Sequence, residues 1–335
     1  MEKNSISHCI NEKASEKNIP LNVIIELTYK CNLNCYYCYQ KKNTDRKELS
    51  KDQWVNLLKE LAQLGSFYVT FSGGEPFLRK DFLSILSYAG KYNYAVSIIT
   101  NGTLLTERDC LEMEEIGIMD IGVSLHAAQK DLHDELTGIS GSYEKALSTI
   151  RFLKKKGFNV LIKHSVSNRN FGEYKLLNRI ALQEGCIFEF DSLILPMSNS
   201  TVSPFALSQK QQYDFLIDME VKQEFNNRKS SINENLHCDA GRSICGITPS
   251  GSVLPCILLP VEFGNISRKS ITDIWNGDKS QCFRNREKVI DKVCETCNII
   301  NSCSRCHAIA FMESGKWNSK SESLCNRATA FSKVV

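Results

Sequence analysis

Cysteine thiolates at short fixed spacings hold iron or zinc, and one loop of this chain carries three: Cys31, Cys35 and Cys38, spaced C-x3-C-x2-C. Three thiolates from one loop suit three corners of a [4Fe–4S] cube and leave the fourth iron without a protein ligand. An open metal position is where a substrate or cofactor coordinates. A redox cluster completed by a distant cysteine is the competing reading of the same trio. Nine of the fifteen cysteines follow residue 237. Eight of these, Cys238, Cys245, Cys256, Cys294, Cys297, Cys303, Cys306 and Cys325, are candidate metal ligands. A zinc ribbon is the alternative, because C-x2-C pairs also suit tetrahedral zinc. Cys282 fits neither group, and Cys9, Cys110 and Cys186 are expected to be isolated small hydrophobes.

The rest of the composition favours metal over disulfides. The chain has 335 residues, 42% hydrophobic and 24% charged, which is ordinary for a globular protein. It opens Met1-Glu2-Lys3-Asn4 with no apolar signal region, and no stretch approaches membrane-spanning length. A cytoplasmic location is therefore expected, where thiols stay reduced. A net charge of +3 argues for neither a nucleic-acid partner nor a membrane surface, and Lys41, Lys42, Arg46 and Lys47 read as a solvated loop.

Short apolar β-type runs at 23–27, 67–71, 96–100, 118–125, 160–165 and 187–191 alternate with amphipathic stretches such as 51–64 and 143–156. Ser50 and Ser142 are candidate N-caps, while Gly65, Gly117, Gly157 and Gly185 fall where helices should stop. Such alternation implies an α/β fold with a parallel sheet, and six units rather than eight imply a partial (β/α)6 barrel. In barrels the chemistry lies at the C-terminal strand ends. The unusual residues fall there: the three cysteines after the first strand, Gly73-Gly74-Glu75-Pro76 after the second and Asn101-Gly102 after the third. Ser124 and His126 close the fourth strand, and Lys163 and His164 the fifth. Beyond Ser192 a polar connection with Pro196 and Pro204 leads to a predicted helix over 209–225. Four regions follow: a lead at 1–21, a barrel at 22–195, a linker with a helix at 196–237 and a cysteine-rich unit at 238–335.

The cysteine trio, with aromatic Tyr37 before its last member, resembles the signature of the radical SAM superfamily, and Gly73-Gly74-Glu75-Pro76 resembles that superfamily's glycine-rich motif. The resemblance implies S-adenosylmethionine on the open iron, its amino group received by the glycine-rich carbonyls and Glu75. It also implies Ser124 at the ribose or carboxylate and Lys163 at the carboxylate. His126, His133 and His164 are expected to be structural, with lining of the substrate cavity the alternative. The C-terminal cysteines, with Gly264-Asn265-Ile266 and Ile274-Trp275 between them, resemble the SPASM extension, which carries two auxiliary [4Fe–4S] clusters in many peptide-modifying relatives. Carried over by position, Cys294, Cys297, Cys303 and Cys325 would hold the outer cluster. Cys238, Cys245, Cys256 and Cys306 would hold the inner one; without Cys245 that cluster would keep an open iron. The segment 247–256 reads as two short strands around a Pro-Ser-Gly turn.

The implied activity is oxidative maturation of a ribosomally made peptide, forming a thioether or carbon–carbon cross-link. Expected partners are the peptide or protein substrate, a reductase such as flavodoxin or ferredoxin, and, because about 21 residues precede the first strand, either a separate leader-recognition protein or leader contact through the barrel itself. Small-molecule work on a haem precursor and a non-catalytic electron carrier are the alternatives. A sulfatase-maturing enzyme is disfavoured, because Ile257 stands where that family places an aspartate base.

Overall fold

The computed structural model describes residues 6–40, 46–195, 203–218, 238–286 and 291–334. Six strands form where the apolar runs predict them: β1 Asn22–Glu26, β2 Tyr68–Ser72, β3 Ala95–Thr100, β4 Asp120–Ser124, β5 Val160–Ser165 and β6 Ile187–Asp191. All pair in parallel, each with its sequence neighbour, in an open sheet. Alternation sets the faces: Val23 and Ile25 of β1 and Val69 and Phe71 of β2 are fully buried against the helix layer. The intervening Thr70 and Ser72 point to the other face, toward the barrel interior.

The crossover helices include α2 Lys51–Gln63, α3 Phe82–Lys91, α4 Glu107–Ile116, α5 Lys130–Thr137, α6 Ser142–Lys155 and α7 Tyr174–Gln183, preceded by α1 Ile6–Glu16. Helix α2 buries Trp54, Leu57, Leu58 and Leu61 as one stripe, and Ser50 caps it in a capping box with Gln53. Ser142 is not an N-cap. It is the first residue of α6, and Gly141 precedes it with a φ of 80°. The capping acceptor comes from α5 instead: Asp134 receives the N–H groups of Gly141 and Tyr143 at 2.6 and 2.9 Å, and the Ser142 hydroxyl.

The cysteine-rich unit is not a separate layer. Its first strand, β7 Ile244–Ile247, pairs in parallel with β1 and lengthens the barrel sheet to nine strands, ending in antiparallel β8 Ser252–Leu254 and β9 Gly264–Asn265. The expected Pro-Ser-Gly turn joins β7 to β8, with Gly251 at a φ of +86° that a side chain would strain. The lead also joins this side: Ser15 donates to Asp239, and the indole of Trp275 donates to the Asn18 carbonyl at 2.6 Å. Of the predicted helix over 209–225, α8 covers Gln209–Ile217; 219–237, like Pro196, Lys41 and Lys42, lies outside the described residues. Among the described residues no helix is long and apolar enough to cross a membrane.

Candidate active site

A cavity of about 360 Å³ opens at the C-terminal ends of β1–β6. Its wall unites residues far apart in sequence: Cys31, Cys35 and Cys38, Gly73 and Gly74, Ser124, and Lys163. Tyr37, Asn101, His126 and Asp191 complete its polar lining, with Leu33, Ile99, Leu193 and Leu258 among the apolar residues.

The cysteine loop is held from several sides. The Asn34 N–H donates to the Thr137 carbonyl at 2.8 Å, and the Asn101 amide donates to Asn32 Oδ1 at 2.9 Å and reaches Cys31 Sγ at 3.9 Å. Glu48, which sequence reading passed over, accepts from the Thr28 hydroxyl and the Tyr29 N–H, both at 2.8 Å. Arg79 clamps the Leu27 and Leu49 carbonyls behind it. Against this loop lies the glycine-rich turn. The Gly74 N–H donates to Thr28 O, and a Cβ on Gly74 would stand 2.0 Å from the Lys30 carbonyl, so only glycine permits the approach.

Glu75 and Pro76 do not reach the cavity wall. The Glu75 carboxylate is fully buried and accepts from the Thr100 hydroxyl and the Asn101 N–H at 2.8 Å and from the Phe77 N–H at 3.1 Å. It therefore ties the glycine-rich turn to the end of β3. Burial holds its pKa up at about 7 despite those three donors. Lys163 is also engaged within the chain, paired to Glu189, which stands directly opposite it on β6.

Among the described residues, two buried polar atoms on the cavity wall lack a protein partner: the Tyr37 hydroxyl and His126 Nδ1. Their rings meet edge to face at 5.4 Å. Desolvation holds His126 neutral, and burial likewise lowers His133 to about 4 and His164 to about 3. These histidines are thus neutral near neutral pH. Orphaned donors and acceptors, three thiols and glycine backbone around one cavity fit a polar cofactor bound beside an iron–sulfur cluster.

The C-terminal thiols fall into two neighbourhoods. Burial raises the Cys303 thiol to about 11, and Cys325, Cys294 and Cys297 add to the rise; Cys325 feels Cys294 and Cys297 in turn. Burial also raises Cys256, next to Cys306, and fully buried Cys245, next to Cys256. Among the described residues no trio of His, Cys, Asp or Glu is set to grip a lone metal ion. A four-iron cube holds its thiolates on separate corners and accepts a wider spacing.

Comparison with known proteins agrees with these features. Residues 25–169 match the radical SAM superfamily, and residues 238–298 match the SPASM iron–sulfur cluster-binding domain. The AdoMet-dependent haem synthase of Methanosarcina barkeri is 28% identical over 331 residues, covering 90% of this chain and 95% of that protein. The mycofactocin maturase MftC of Mycolicibacterium smegmatis is 29% identical over 305 residues, covering 85% and 77%. In fold, the crystal structure of Streptococcus suis SuiB bound to S-adenosylmethionine superposes with a TM-score of 0.74 at 17% identity, covering 95% of this chain and 81% of that one.

Proposed function

We propose that this chain, a radical SAM enzyme with a SPASM domain, is an oxidative maturase of a ribosomally made peptide, forming a thioether or carbon–carbon cross-link. The observation that carries the reading is the single cavity wall shared by Cys31, Cys35, Cys38, Gly73 and Gly74. In this reading the barrel spans 22–195 and the cluster-bearing unit 238–335. Cys31, Cys35 and Cys38 hold the cluster that faces S-adenosylmethionine. Cys294, Cys297, Cys303 and Cys325 hold an outer auxiliary cluster, and Cys238, Cys245, Cys256 and Cys306 an inner one. Once reduced by one electron from a flavodoxin or ferredoxin, the cluster on Cys31, Cys35 and Cys38 with bound S-adenosylmethionine would supply radical chemistry able to take hydrogen from an unactivated carbon.

The chain's own residues bind, orient and exclude water. Gly73 and Gly74 offer backbone to the methionyl end, and Ser124 offers a hydroxyl to the ribose or carboxylate. Lys163 serves the carboxylate only by sharing or leaving Glu189. Tyr37 and His126 present their unmet polar atoms to the cofactor or the substrate. Asn101 fixes Cys31. Leu33, Ile99, Leu193 and Leu258 line the cavity with apolar surface, which disfavours water around a reactive intermediate. Ile257 offers no base for sulfatase maturation. A flavodoxin or ferredoxin is the expected electron donor.

One observation favours a second substrate class: the similar haem synthase is covered over 95% of its length. The test is anaerobic reconstitution with reductant, S-adenosylmethionine and the peptide encoded nearest the gene. Loss of two hydrogens per modification, together with 5′-deoxyadenosine, supports the maturase. Deoxyadenosine with an unchanged peptide and a chemically altered tetrapyrrole would replace it with the haem-precursor reading.

A further inference from the structure

The chain that carries the inner-cluster cysteines is tied together at one glycine. Gly241 lies three residues after Cys238 and four before Cys245. Its N–H is shared between the carbonyls of Ile244, at 3.0 Å, and Pro255, at 2.8 Å. Those two residues directly precede Cys245 and Cys256, so a single N–H fixes the approach to both. The Gly241 carbonyl in turn accepts from Arg284 Nε at 2.6 Å. A φ of +75°, with Phe283 3.0 Å from where a Cβ would stand, keeps this position glycine. Arg284 belongs to the helix Asp278–Arg286 and is only 7% exposed. Its guanidinium lies over the Trp275 ring at 4.7 Å, and its own carbonyl accepts from Arg242 at 3.0 Å, so both ends of the residue are held.

Positive polarity surrounds the same thiols. Backbone N–H groups of Leu258, Ile257 and Leu259 hydrogen-bond the Cys256 sulfur. Glycine at 246 lets that turn lie against β7, because a Cβ there would stand 2.4 Å from the Ile257 nitrogen. Cys306 is the N-cap of the helix His307–Ser314, at the positive end of its dipole. Burial raises the Cys245 thiol, and Arg284 opposes that rise. Each electron taken up by an iron–sulfur cluster adds negative charge, so nearby positive charge and hydrogen bonds to sulfur favour the reduced form. A guanidinium keeps its charge at any working pH.

We infer that Arg284 is a positioning residue of the inner cluster: it locks the Gly241 junction that spaces Cys238, Cys245 and Cys256, and its fixed charge makes that cluster easier to reduce. This role rests on the cluster assignments proposed above. A cluster so placed suits taking up an electron rather than supplying one.

Redox titration of the reconstituted holoenzyme, followed by electron paramagnetic resonance, tests this with Arg284→Gln and Arg284→Lys. Arg284→Gln should move one cluster's midpoint to a more negative potential and leave the others in place. The midpoint that moves should be the one missing from Cys256→Ala. A chelator should strip that cluster's iron about tenfold or more faster than in wild type. Arg284→Lys keeps the charge but not the planar fork, so it should hold the wild-type midpoint and release iron at an intermediate rate. Wild-type midpoints in Arg284→Gln, an equal shift in Arg284→Lys, or a shift in a cluster that Cys256→Ala retains would each overturn the role. If Arg284→Gln does not fold, Arg284→Lys decides. Wild-type midpoints with faster iron release support the role, and wild-type iron release or a shifted midpoint overturns it. If the holoenzyme cross-links the encoded peptide while Arg284→Gln keeps wild-type midpoints, the maturase reading stands and the Arg284 role fails. If the shifts appear but no peptide is modified, the Arg284 role stands and the maturase reading fails. Uptake of only about four irons by wild type would remove the inner cluster and overturn the role with it.

Discussion

The two cysteine-bearing regions solve one problem in opposite ways. The N-terminal trio lies within eight residues on a single loop, which is braced by Asn101, the Thr137 carbonyl and the glycine-rich turn. The C-terminal eight span residues 238 to 325 on short elements, and their neighbourhoods mix distant parts: Cys325 approaches Cys294, and Cys306 approaches Cys256. A loop-borne site is preorganised by its own backbone, so its geometry is local. A dispersed site exists only after the chain around it has folded, and metal binding then contributes to folding itself.

Cys35→Ala should separate the regions most sharply. On the proposed assignment it removes a ligand of the cluster that cleaves S-adenosylmethionine, so deoxyadenosine formation should fall at least about a thousandfold, measured by chromatography. Cys325→Ala should leave deoxyadenosine formation within about tenfold of wild type while abolishing the modified peptide. If both variants lose SAM cleavage alike, the division of labour is wrong.

The brace around the trio comes next. Asn101→Ala removes the amide that reaches Cys31 and Asn32, and outer partners of metal ligands typically cost about 10–100-fold in activity or metal affinity. Deoxyadenosine formation should fall by that range at equal protein concentration.

Glu75 gives a pH signature on the barrel side alone. Its folded pKa of about 7 lies above the ordinary 4.5, so the folded state keeps a proton that the unfolded chain has released. Its contribution to stability is therefore greatest below pH 4.5 and declines as pH rises through 7, by about 3 kcal/mol in all. Thermal melts of the apoprotein should show this decline in the wild type. Glu75→Gln cannot ionise and should lack that component of the slope. The smallest effect belongs to exposed Cys282: Cys282→Ala should change iron content and activity negligibly and stability by no more than about 0.5 kcal/mol.

The barrel was legible because its signals are local. Apolar runs at 160–165 and 187–191 became β5 and β6 with the same bounds, and the cavity lies at the strand ends where the reactive residues were expected. Nonlocal pairing was not legible. Nothing within the four residues of β7 announces that they bond to β1, more than 200 residues earlier. Lys163 was expected to serve a cofactor carboxylate, but its pairing with Glu189 follows from the β5–β6 register, which sequence does not fix. Glu75 was expected at the cofactor; three inward donors hold its carboxylate behind the cavity wall, a position that residue types alone did not reveal. Asn101 left one clue, an Asn-Gly at a strand end, which marks a sharp turn near the chemistry. The bracing by Glu48 and Arg79 left none, since a charged pair on a loop reads as solvated surface.

Iron counting tests the central division most directly. Anaerobically reconstituted wild-type protein, examined by Mössbauer spectroscopy alongside a Cys31/Cys35/Cys38→Ala variant, should hold about twelve irons per chain against about eight in the variant. Adding S-adenosylmethionine should perturb only the cluster that the variant lacks. Equal iron in both proteins, or a spectral response to S-adenosylmethionine that survives in the variant, would contradict the assignment of SAM cleavage to the N-terminal trio.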